Sequence, residues 1–420
     1  MPTPDHPASV LRWGGGATWW AGTGALEAAL PSAVRDQRVR VLLDANVAAT
    51  PAGAALRARI DQVAVRSGAS VTYQAHDPAQ PATARLVDEV AQEWEQDPVG
   101  ALLLVGGGST IDLGVLSLLP ADERALLRAG GRSGLVLLPE TPRDVGRPTC
   151  VAIPTTLGTG AETSAVACVD HGGKRLVVGA WLRPDVSICD EAATDGLPER
   201  LVREAVVEIM ARLVVPFAAT SHGVAAHPLS TALGDEVLLA DLRVLLRAAD
   251  QLRTSPTSDA LLRMTIAAVS AHTHGGWANV GRASFSSPVW FVGTELSHVL
   301  GVSKATATAL LLPTWAELVL AGRPGWGDAD RLRQLAATLD PGADPADVVR
   351  RTCALVVPPA PLDAHRLDDE DVVGDVADRC MRRWGGGLPM LAGLVRADVE
   401  ALVGGALSRT RREGAVLCSI

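Results

Sequence analysis

The chain has 420 residues, enough for two domains with complete hydrophobic cores, and its 48% hydrophobic and 20% charged content is that of a globular protein. A formal charge of -9, from 38 basic against 47 acidic residues and with no basic run, argues against a surface that tracks a nucleic-acid backbone. No apolar run approaches the roughly 20 residues of a membrane span and the first six residues are polar, so a cytoplasmic protein with neither nucleic acid nor membrane as partner is expected.

In chain order, Trp13-Gly14-Gly15-Gly16 reads as a turn, since no apolar strand leads into it. Residues 39–44 form an apolar strand ending in Asp44, where a dinucleotide fold places the acid that accepts hydrogen bonds from the adenosine ribose. A strand at 70–74 and a helix over 82–96 follow. Residues 101–105 are apolar without a break, as suits a parallel strand buried on both faces, and stop at Gly106, Gly107 and Gly108, then Ser109, Thr110 and Asp112. Glycines let the backbone turn sharply and bring its N–H groups close to an anion. Ser109 and Thr110 can cap the next helix, whose N-terminus would face a pyrophosphate with Asp112 in its first turn. Taken alone, the stretch reads equally as a tight turn without a ligand.

A second apolar run, 150–153, ends in Pro154 and the loop Thr155, Thr156, Leu157, Gly158, Thr159, Gly160. Its hydroxyls and amides could wrap a phosphate or a nicotinamide amide, or form a threonine-rich turn. The pattern then predicts a hairpin at 166–178 turning at 170–173, a last strand at 184–190, and a break at Gly196-Leu197-Pro198. From there apolar residues recur at three and four, giving helices over 201–217, 232–253, 258–269, 292–300, 306–320, 329–339, 345–357, 368–381 and 396–407. The expected fold class is α/β: a Rossmann-like dinucleotide-binding domain over 1–190, then an all-helical substrate domain over 191–420. Six cysteines, Cys150, Cys168, Cys189, Cys353, Cys380 and Cys418, lack metal-type spacing and read as free thiols.

Together, the Gly106 to Asp112 and Pro154 to Glu162 stretches resemble the two signatures of the iron-type (group III) alcohol dehydrogenases, which share their fold with glycerol dehydrogenase and dehydroquinate synthase. The resemblance implies NAD as cofactor, with Gly106, Gly107, Gly108, Ser109 and Asp112 at the pyrophosphate and Thr155, Thr156, Gly158 and Thr159 toward the nicotinamide. It puts Asp44 at the ribose, where an acid repels a 2′-phosphate and favours NAD over NADP. Lys174 falls at the family lysine near the nicotinamide ribose, or is a solvated turn lysine. A homodimer is expected.

The family's helical domain supplies one Asp and three His to a divalent metal that polarises the alcohol. Here the first two ligand positions fall on Glu208 and Arg212, the third on Thr294, four residues before His298, and the last on Lys304. Arg and Lys cannot ligate, and one acid without imidazoles does not hold zinc or iron in a catalytic site, so no metal ligands are assigned. The loss counts equally against a dehydroquinate-synthase activity. Arg212 and Lys304 could take over the electrostatic role, stabilising an alkoxide or holding a carboxylate, with His298 relaying the proton; otherwise both form ion pairs, for example with Glu208 or Glu295. Such a site suits a β-hydroxy acid, whose oxidation gives a β-keto acid that loses CO2. It is similar in this to the dehydrogenases of daptide biosynthesis, which implies a peptide's C-terminal Thr as substrate; His272 and His274 face a substrate or sit in a polar turn. The alternative is a catalytically silent scaffold or partner subunit that keeps the fold.

Overall fold

The computed structural model describes residues 17–129, 133–140, 146–219, 230–356 and 370–417. Trp13 to Gly16, His222, His227 and Cys418 lie outside them. The described residues form two compact units, those of 17–202 with Pro256–Gly275, and those of 203–255 with 276–417.

The first unit is built on six parallel strands in the order β1 (Thr18–Gly22), β9 (Val186–Asp190), β6 (Thr149–Pro154), β4 (Ala101–Gly106), β2 (Arg38–Asp44), β3 (Ser70–His76). Because side chains alternate along a strand, the apolar run of β4 is divided between two cores. Ala101, Leu103 and Val105 join Val39, Val41 and Leu43 of β2 under helices α1 (Ala25–Val34) and α3 (Pro51–Arg66), which lie either side of the short α2 (Ala45–Ala48). Leu102 and Leu104 join Leu42, Cys150 and Ala152 under α4 (Ala84–Gln96) and α5 (Gly108–Ser117). Burying a leucine is worth about 2 kcal/mol, so both faces hold this strand at the centre. A methyl group at Gly114 would fall 2.1 Å from Leu104 Cδ2, so this glycine lets α5 lie close on the sheet.

From β2 the chain adds β3 on one side, then returns past β2 to add β4, β6 and β9 on the other. The reversal between β2 and β4 opens a crevice at their carboxyl ends, the usual ligand position in open α/β sheets. The expected hairpin is β7 (Val166–Asp170) with β8 (Lys174–Val178), antiparallel, with β5 (Leu135–Leu137) beside β8. The helix α6 (Ala121–Arg128) precedes β5.

Among the described residues each predicted C-terminal helix has a counterpart, most within a few residues of the expected bounds but α9 and α15 running six and ten residues further: α7 (Glu199–Ala219), α8 (Asp235–Thr254), α9 (Ala260–Gly275), α10 (Pro288–Leu300), α11 (Lys304–Leu320), α12 (Ala329–Leu339), α13 (Pro345–Cys353), α14 (Glu370–Arg383) and α15 (Arg396–Leu417). Their distribution differs from an even division at 190, because α9 belongs with the sheet. Arg263 on α9 bonds Thr194 Oγ1 at 3.0 Å and Asp195 at 2.5 Å, and Glu199 Oε1 accepts from Ser258 N and Oγ, each at 2.8 Å. Helical periodicity says which face is buried and not against what. In the other unit Trp315, Trp326 and Trp384 are fully buried, and Trp315 Nε1 donates to the Trp326 carbonyl at 2.9 Å.

Candidate active site

At the crevice, β4 ends in Gly106 and α5 opens at Gly108. The helix N-cap is Gly107, not Ser109 or Thr110: no side chain caps it, and Thr110 N and Ile111 N both donate to the Gly107 carbonyl at 3.1 Å. The amides of Gly108 and Ser109 precede these and open the helix, where N–H groups and the dipole favour an anion. Because α5 starts at 108, Asp112 lies beyond the first turn, contrary to its expected place.

A side chain at Gly106 would collide with its surroundings, and one at Gly107 or Gly108 would press on a threonine side chain. A methyl at Gly106 would sit 2.8 Å from Thr110 Cβ and 2.9 Å from Asp44 Cβ; one at Gly107, 3.1 Å from Thr156 Oγ1; one at Gly108, 3.1 Å from Thr159 Cγ2. The two loops therefore touch. Their contact follows from the pairing of β4 with β6, which sets Gly106 opposite Pro154, and from Thr155 N donating to the Gly106 carbonyl at 3.0 Å. Thr155 is buried with its hydroxyl unpartnered, while Gly158 (φ 91°) and Gly160 (φ 66°) turn the loop through the left-handed region. A methyl at Gly160 would fall 2.1 Å from His274 Cδ2, so the last turn of α9 lies against this loop, and Thr163 Oγ1 bonds the Ala271 carbonyl at 3.3 Å. His274 thus belongs to the loop's surroundings, which its even spacing from His272 could not reveal.

Asp44 is buried at the end of β2 and caps α2: its Oδ1 accepts from Asn46 N at 2.9 Å and Val47 N at 3.4 Å. Among the described residues Oδ2 takes no further bond. His76, which the sequence pattern did not single out, lies opposite Asp44 in the strand register and is 4% exposed. Its Nδ1 is 3.0 Å from Thr110 Oγ1, and its Nε2 is buried without a partner. Burial pushes the imidazole below the usual histidine range, against the pull of the Gln80 backbone and of Asp44 and Asp77. The one signal in the sequence was its place at the carboxyl end of a strand. Lys174 opens β8 and is exposed, opposite Asp170. Burial raises the Cys150 and Cys189 thiols to about 12, so neither supplies a thiolate.

In the helical unit, Glu208 and Arg212 share one face of α7, with Oε2 and Nη1 3.9 Å apart. Thr294 is buried and turns its hydroxyl back to the Trp290 carbonyl at 2.8 Å. Glu295 does not pair with Lys304 or Arg212. It is fully buried and held by Arg379 Nε at 2.7 Å, Arg383 Nε at 3.0 Å and Trp384 Nε1 at 2.8 Å. Lys304 begins α11 with its ammonium 4.4 Å above the Trp290 ring, a cation–π contact. His298 is exposed on α10. A divalent ion does not fit the four positions Glu208, Arg212, Thr294 and Lys304, since two are permanent or near-permanent cations and one is a neutral hydroxyl engaged with its own helix. Among the described residues no group of three His, Cys, Asp or Glu side chains could hold a metal.

Residues 18–191 match the sequence model of the iron-containing alcohol dehydrogenases. The chain is 32% identical over 133 residues to the probable alcohol dehydrogenase EutG of Escherichia coli K12, covering 31% of this chain and 32% of that protein. It is 30% identical over 185 residues to the 4-hydroxybutyrate dehydrogenase of Cupriavidus necator, covering 43% of this chain and 46% of that one. The chain thus spans about a third to a half of the curated relatives it matches. The crystal structure of an iron-containing alcohol dehydrogenase from Thermococcus thioreducens superposes with a TM-score of 0.72 at 18% identity, over 94% of this chain and 100% of the other. Residues 18–191 are thus similar in sequence to the iron-containing alcohol dehydrogenases, and over nearly all its length the chain has the fold of the Thermococcus thioreducens enzyme.

Proposed function

We propose that the protein is an NAD-dependent oxidoreductase that interconverts an alcohol and its carbonyl partner without a metal ion. The observation that carries this reading is the N-terminus of α5, which no side chain caps, set against Gly106, where a side chain would strike Thr110 and Asp44, and Gly107 and Gly108, which lie close to Thr156 and Thr159. A dinucleotide suits this donor set: the Gly108 and Ser109 amides take the pyrophosphate, Asp44 Oδ2 a ribose hydroxyl, and Thr155, Thr156, Gly158 and Thr159 the nicotinamide end, with Lys174 near its ribose. When bound, the nicotinamide accepts or returns a hydride.

The helical unit supplies the substrate side. Lys304 stabilises the developing alkoxide, Arg212 holds a carboxylate with its planar fork, Glu208 sets the Arg212 guanidinium, and His298, on the surface, passes the proton to solvent. The substrate class is a hydroxy acid. The similarity to 4-hydroxybutyrate dehydrogenase supports a substrate with both alcohol and carboxylate, and the two cations extend this to a β-hydroxy acid such as a peptide's C-terminal Thr, losing CO2 after oxidation. The working form is a cytoplasmic homodimer. Calorimetry with NAD and NADP tests the cofactor: NAD binds more tightly, and Asp44→Gly narrows the difference by about tenfold through removal of the charge facing the 2′ position. Equal affinities in the native protein would refute the assignment.

A further inference from the structure

We propose that His76 determines how the adenosine ribose is held: locked by Thr110 beside Asp44, it offers Nε2 to a ribose hydroxyl. The inference deepens the dinucleotide reading and rests on it. Three observations place the ring there. His76 ends β3 in register with Asp44, so both residues stand at the carboxyl edge of the sheet. The bond from Nδ1 to Thr110 Oγ1 reaches from the outermost strand past β2 to the first turn of α5, the strand between them being the one that Asp44 ends. The imidazole therefore lies across the crevice mouth, and the same Thr110 side chain is what a methyl at Gly106 would strike.

The third observation is Nε2, which by distance and angle has no hydrogen-bond partner among the described residues, on a ring only 4% exposed whose charge the Gln80 backbone nevertheless favours. A buried polar nitrogen without a partner is costly, and most such atoms in folded proteins find one. Asp44 adds to the picture: the backbone of α2 engages Oδ1 and leaves Oδ2. Oδ2 and Nε2 form a pair of sites for the two vicinal hydroxyls of a ribose. Because burial keeps the ring neutral, it does not form an ion pair with Asp44 that would consume both sites. A ribose hydroxyl both donates and accepts, so it complements Nε2 whichever ring nitrogen carries the proton.

Calorimetric titration of the full chain with ADP, 2′-deoxy-ADP and 3′-deoxy-ADP tests the contact. His76→Ala should weaken ADP about tenfold, the scale of one buried hydrogen bond. It should leave unchanged the affinity for whichever deoxy analogue lacks the hydroxyl that Nε2 takes. Thr110→Val should weaken ADP similarly and Thr110→Ser should restore it. If His76→Ala does not fold, His76→Gln measured in the same way serves. Equal weakening of all three nucleotides, or none, would overturn the contact. Failure of the native protein to bind ADP would instead remove the dinucleotide reading itself.

Discussion

The ends of β2 and β4 and the four positions Glu208, Arg212, Thr294 and Lys304 of the helical unit stand in contrast within one chain. At the strand ends three glycines lie close to the neighbouring threonine and aspartate side chains, and no side chain caps the helix that opens there. At the four helical positions the side chains are engaged locally: Thr294 with its own helix, Lys304 with Trp290, Arg212 with Glu208. On the proposed function the contrast separates two tasks, holding a dinucleotide and holding a metal.

The sharpest way to break the comparison is at Gly107. Gly107→Val pushes a branched side chain into Thr156 and the anion cradle, and should reduce NAD affinity a hundredfold or more while thermal stability changes little. Unchanged affinity by calorimetry would reduce the strand ends to structure. On the other side, Lys304→Ala should lower turnover on the order of a hundredfold, as does loss of one preorganised donor, with NAD affinity intact. Loss of stability with full activity per folded molecule would make Lys304 a partner of Trp290 and no more.

The smallest effect concerns acidity. In the unfolded chain His76 takes a proton near 6.5, and in the fold only at lower pH, so its neutral form contributes stability above about 6.5 that is lost as pH falls toward the folded value. Denaturation curves at pH 7.5 and 5.5 should show a smaller acid loss in His76→Gln than in the native protein.

Much of this was legible in the sequence, for identifiable reasons. An apolar run buried on both faces announces β4, and the glycines behind it announce a turn, because both signals are local. The helices of the second half follow from periodicity alone. What escaped depends on contacts between distant residues. Thr110 bonds His76 and not its own helix end, so the N-cap moved to Gly107 and Asp112 left the first turn. Arg263 and Glu199 draw α9 to the sheet through bonds that no spacing encodes. Glu295, a candidate partner for the two cations, is taken by Arg379, Arg383 and Trp384 from a helix more than eighty residues on.

The central claim, that this chain keeps the dinucleotide and has given up the metal, is tested most directly by the metal content of the purified protein, measured together with its turnover in excess chelator. The account predicts no stoichiometric zinc, iron or nickel and an unchanged rate. One tightly bound metal ion per chain, lost together with activity, would contradict it.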